Sequence, residues 1–119
     1  MIIDGTNDNE FKLLTDYLFS FDFPYKRIIQ EQISSAIVVK EFSEYHFAFQ
    51  FIVDTKQRYL PRECNGIFVL IQIKTDHSLT CLELYVSNQY VAEFRMYNID
   101  TSKVELDCLN RGVAKLYIQ

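Results

Sequence analysis

Two histidines, three cysteines and a scatter of carboxylates are the groups in this 119-residue chain that could do acid–base, nucleophilic or metal chemistry. His46 lies amid aromatic residues and His77 in a polar turn, and neither has an acidic neighbour at a spacing that would tune it as a base. Cys64 falls in a polar segment and is expected to be the most exposed thiol. A thiol nucleophile also needs a base and an oxyanion stabiliser, and the sequence places neither beside it. Glu83 shares a strand face with Cys81 and Tyr85, where a carboxylate more often pairs across strands or faces solvent than acts as a general base. The cysteines, Cys64, Cys81 and Cys108, are widely spaced, without a CxxC pair or a matching histidine spacing, so they read as reduced thiols rather than a disulfide framework or a zinc site. Three glycines are too few for a phosphate-cradling loop, and GxSxG and HExxH do not occur. The reading is a chain without catalytic, metal or cofactor-binding residues, and so not an enzyme.

Binding is the chemistry the composition favours. Eight tyrosines and ten phenylalanines, with no tryptophan, exceed what so small a core is expected to hide. Tyrosine beside carboxylate suits a protein-binding surface, because the ring supplies area at low entropic cost and the charge steers the encounter. The candidate surface is Asp76, Tyr85, Tyr90, Glu93, Tyr97 and Asp100, with Glu83 nearby and with Asp8 and Asp16 as a rival acidic face. The net charge of −4 argues against nucleic acid or an anionic membrane as the main partner and favours a basic one. The N-terminus MIIDGTNDNE has no basic region, and no segment approaches the roughly 18 uninterrupted apolar residues of a membrane span. A cytoplasmic protein is expected.

The elements that must position these residues follow from periodicity. Asn7 with Glu10 predicts a capping box opening a helix over about 8–20, whose apolar stripe is Phe11, Leu14 and Leu18. Pro24 predicts the opening turn of a second helix over about 24–33, ending near Ser34 or Ser35. From Ala36 the period becomes two: AIVVKEF, then YHFAFQFIV with Tyr45, Phe47, Phe49, Phe51 and Val53 on one face. The segment 54–66 reads as a long surface loop, the one locally basic stretch. The core of the design is the span 67–97, a three-stranded antiparallel meander with a polar turn at Thr75–Ser78. Five successive apolar residues, Ile67 to Ile71, predict a strand covered on both faces. VELDCL and VAKLYI, flanking Asn110, Arg111 and Gly112, read as a final hairpin. The expected fold is one α+β domain over 1–119, with two N-terminal helices packed on one face of a curved antiparallel sheet of five to seven strands.

The order FDFPYKRIIQEQISSAIVVKEF, an aromatic strand, NGIFVLIQI, a polar turn and LTCLELYVSN resembles small immunity proteins encoded beside bacterial polymorphic toxins, including those of contact-dependent growth inhibition systems. The matching positions are Gln32, Ile33 and Ala36 to Val38, then Leu79, Leu82, Glu83, Leu84 and Tyr85, within a span of about 21–88. The tail from Ile99 onward is longer than the family pattern. The resemblance implies no catalysis: such a protein binds and neutralises one cognate toxin domain in the cytoplasm. Together with the −4 charge it predicts a toxin with a basic cleft, a nuclease above others. Two other classes remain open from the residues alone. One is a small-ligand cone with Glu83, His46 and Gln50 turned inward; the other is a homodimeric adaptor that pairs through a sheet edge.

Overall fold

The computed structural model describes residues 1–119 as two N-terminal helices on one face of a seven-stranded, wholly antiparallel sheet. Helix α1 spans Asn9–Phe19 and α2 spans Lys26–Ser35. The strands are β1 (Ile2–Ile3), β2 (Ile37–Ser43), β3 (His46–Ile52), β4 (Gly66–Lys74), β5 (Leu79–Ser87), β6 (Tyr90–Asn98) and β7 (Val113–Ile118), in the spatial order β1-β2-β3-β6-β5-β4-β7. The terminal strands of that order do not pair with each other, so the sheet is open and not a barrel. The predicted meander is present as β4-β5-β6 with β5 at its centre; β6 is the middle strand of the sheet, and β4 is interior between β5 and β7.

Period-two alternation sorts the sheet into two faces. Phe47, Met96, Leu82, Ile71 and Leu116 form one row across five strands, and Phe49, Phe94, Leu84, Val69 and Ile118 form the next. Both rows face the helices. Phe11 of α1 packs edge-on against Phe49, ring centroids 5.0 Å apart, and Leu14, Leu18, Ile29 and Ile33 fill the layer between. Each large apolar side chain buried this way is worth roughly 1.5–3 kcal/mol. This layer is the dominant favourable term.

Lys40 is also buried on this side. Its ammonium lies 3.0 Å from Asp8 and 3.0 Å from Glu10, clamping β2 to the first turn of α1. Burial alone would lower the lysine pKa, but the two carboxylates outweigh it and hold it above its ordinary value. For Asp8, burial would raise the pKa, but the Phe11 amide and Lys40 together draw it below.

Several expectations are corrected. The α1 N-cap is Asp8, whose carboxylate accepts from Phe11 N at 2.9 Å, rather than Asn7, and Glu10 turns to Lys40 instead of closing a capping box. Pro24 precedes α2, which starts at Lys26 after Tyr25 in the left-handed region (φ 62°). The run from Ile67 is not covered on both faces. A register shift between Ile67 and Val69 turns both Phe68 and Val69 toward the helices, so five apolar residues in a row mark a β-bulge, with Ile67 and Leu70 left on the far side. The final hairpin is absent: Cys108–Arg111 is a short helix, α3, and β7 alone pairs, with β4. Strand β1, unforeseen, caps the edge of β2. Cys64 is fully buried, as are Cys81 and Cys108, and burial pushes all three thiols up.

Candidate functional site: the uncovered face of the sheet

The second face of the sheet is covered by no element of the chain. The long loop sends Leu60 and Cys64 into the helix-side core, and α3 does the same with Cys108. Three rows therefore stand open. The first is Val39, Gln50, Glu93, Tyr85 and Ile67; the second Glu41, Ala48, Arg95, Glu83, Leu70 and Tyr117; the third Ser43, His46, Tyr97, Cys81, Gln72 and Lys115. Ile67 is 40% exposed, Tyr85 38% and Tyr117 45%, so the apolar groups of this face meet water.

Its centre is charged. Glu83 is only 4% exposed although it lies on the open side, because its longer neighbours enclose it. Arg95, opposite it on β6, approaches Glu83 Oε2 at 3.6 Å and Glu93 Oε1 at 3.2 Å. The Arg95 Nε is buried, and its contact with Glu93 is off the line needed for a hydrogen bond, so it is an ion pair only. Two carboxylates share one guanidinium, which leaves an uncompensated negative charge at the middle of the sheet. Beside them, burial and the Glu83 carboxylate push the Tyr97 hydroxyl well above the usual phenol range, so it stays a neutral hydrogen-bond donor.

The six candidate residues fall into three places. Tyr85, Glu93 and Tyr97 are brought together on the open face, with Tyr85 and Glu93 as direct cross-strand partners. Tyr90 begins β6 at one end, where its hydroxyl donates to the Thr55 carbonyl at 2.9 Å and pins the long loop. Asp76 and Asp100 lie at the opposite end, roughly 26 Å away at about 3.3 Å per strand residue. There they line a polar cleft of about 600 Å³ with Lys74, His77, Lys103 and Arg111. Asp100 is engaged by the Ser102 hydroxyl at 2.6 Å and its amide at 3.1 Å, which together lower its pKa. The rival acidic face also divides, since Asp8 is paired with Lys40 while Asp16 stays exposed. Sequence reasoning missed Arg95 and Tyr117. Counting by twos from buried Phe94 and Met96 would have placed Arg95 between Glu93 and Tyr97.

Two possible reaction centres resolve as structure. Ser43 Oγ is 3.0 Å from His46 Nδ1, but the same oxygen accepts from the Tyr45 and His46 amides at 3.2 Å, so it closes the β2–β3 turn. Glu83, His46 and Gln50 do not line the polar cleft. His46 and Gln50 are exposed on the open face, contrary to the inward geometry of a ligand-binding cone. No helix is long and apolar enough to cross a membrane.

Gln32, one of the motif positions, proves to be a clasp. Its side chain is fully buried, accepting from Val91 N at 2.8 Å and donating to the Arg58 carbonyl at 2.6 Å, which ties α2 to both β6 and the long loop. Comparison with family models, with characterised proteins and with solved structures finds no match to this chain.

Proposed function

We propose that this chain is a protein inhibitor that docks its uncovered sheet face on a toxin domain and neutralises it, as the resemblance to immunity proteins implies. The observation carrying the reading is the face itself: a broad sheet surface, open across its width, that gathers Tyr85, Tyr97 and Tyr117 around Glu83, Arg95 and Glu93. Exposed rings of this kind supply hot-spot area, and the two carboxylates on one arginine accept a cation from the partner. The partner is accordingly a domain that presents a lysine or arginine among apolar groups. A cleft that holds nucleic acid is lined in that way, so a nuclease toxin suits both this centre and the net charge of −4.

The test is co-expression with the toxin domain encoded by the neighbouring reading frame. Growth should be restored and the two chains should co-purify. Tyr85→Ala with Glu93→Lys should lower affinity on the order of 100-fold or more, as expected for loss of a hot-spot ring and reversal of a steering charge. Circular dichroism of that variant should match the parent. Failure of the parent to protect or to co-purify refutes the proposal, and full binding by the variant moves the interface off this face.

A further inference from the structure

The two edges of the sheet are unequal. On one side β1 has only two residues, a short strand of the kind that limits edge-to-edge pairing. On the other, β7 runs for six residues, VAKLYI, with no proline and no bulge in its pairing with β4. Its backbone polarity is set by its register. Gln119 N donates to Phe68 O at 3.0 Å, so Gln119, Tyr117, Lys115 and Val113 turn their amides and carbonyls toward β4. Those of Ala114, Leu116 and Ile118 point outward from the sheet.

We propose that β7 is a self-pairing edge and that this chain forms a two-fold dimer in which two β7 strands join antiparallel across Leu116. The outward amides require Ala114, Leu116 and Ile118 to pair among themselves, and an axis at Leu116 engages all three. Leu116 pairs with its own copy, and Ala114 pairs with Ile118 of the other chain. Lys115, the one charged residue of the strand, then lies opposite Tyr117 of the other copy and not opposite a second lysine. Sliding the axis to Lys115 would keep outward residues paired with one another but set Lys115 against Lys115, so like-charge repulsion selects against that register. On the helix side, partly buried Leu116 and exposed Ile118 gain apolar cover from the partner strand. The second copy is the fitting occupant because this edge complements itself residue by residue. The two open faces become one continuous surface.

A strand pair of this length covers less than the roughly 1,600 Å² of a standard stable interface, so association is expected at about 10–500 µM. Sedimentation equilibrium across that range should show the mass rising from 14.1 kDa toward twice that value. Ala114→Pro removes an outward amide that makes no bond to β4, so the fold should survive while the dissociation constant rises at least tenfold. Tyr117→Lys, at an exposed position, places a lysine opposite Lys115 of the other copy and should weaken the dimer likewise without altering the melting temperature. A mass that stays at 14.1 kDa at the highest concentration overturns the proposal. So does a dimer that persists unchanged in both variants, because its interface then lies elsewhere.

Discussion

Replacing Gln32 by leucine keeps the side-chain volume near that of the native residue and removes both ends of the clasp. The Val91 amide would be left buried without its acceptor, and the Arg58 carbonyl, partly buried, without its donor. An orphaned buried group costs about 1–3 kcal/mol. Taking about 2 for the enclosed amide and about 1 for the carbonyl, which water can partly reach, gives a loss near 3 kcal/mol. That is a large share of the 5–15 kcal/mol typical of a domain and corresponds to a melting temperature roughly 10 °C lower. Urea unfolding should show a lower midpoint with an unchanged slope, and hydrogen exchange at Val91 should accelerate before that of Phe94. Gln32→Glu supplies the sign control. A carboxylate can still accept from Val91 but cannot donate to Arg58, and burial raises its folded pKa above the unfolded value of about 4.3. Its deficit should therefore be small below that value and grow as the pH rises through the raised pKa. If Gln32→Leu lies within about 0.5 kcal/mol of the parent, below the net worth of an ordinary hydrogen bond, the clasp is not a stabilising device and the reasoning fails.

Three further outcomes follow from the packing. Lys40→Met should cost about 2 kcal/mol, below the 3–5 of a fully buried broken pair because Asp8 and Glu10 reach water. The lowered Asp8 pKa makes its stabilisation present above its unfolded value of about 3.9 and lost as pH falls through the folded one, so the gap between parent and variant in urea midpoint should narrow below pH 4. Gly112→Ala would set a Cβ in overlap with Ile73 Cγ2 and 3.0 Å from the Cys108 carbonyl, at a cost of about 2 kcal/mol or more by urea unfolding. All three thiols are buried with raised pKa values, so a thiol-disulfide reagent should label the native protein over hours and the urea-unfolded chain within minutes. Rapid labelling of any one cysteine in the native state would contradict that packing.

Short-range pattern in the chain encodes the individual elements. Phe11, Leu14 and Leu18 at helical spacing specified α1, Ile29 and Ile33 specified α2, and alternation with the polar turn at Thr75–Ser78 specified the meander, because each depends on residues within a turn or a hairpin of one another. Which faces those elements cover depends on long-range pairing. A bulge at Phe68 is invisible in composition, since two residues opposing one on β5 is a property of the pair of strands and not of either alone. Helix α3 and the solitary β7 arose where a hairpin was expected, because β4 offers an edge that residues 113–118 complete, leaving 104–109 to pack Cys108 into the core. The separation of Asp76 and Asp100 from Tyr85 and Glu93 was likewise undecided by sequence, as nearness along the chain says little about nearness along a strand that advances about 3.3 Å per residue. The joining of Glu83, Arg95 and Glu93 came from cross-strand register. That register is set by the long-range packing of the Phe49, Phe94 and Leu84 row beneath it.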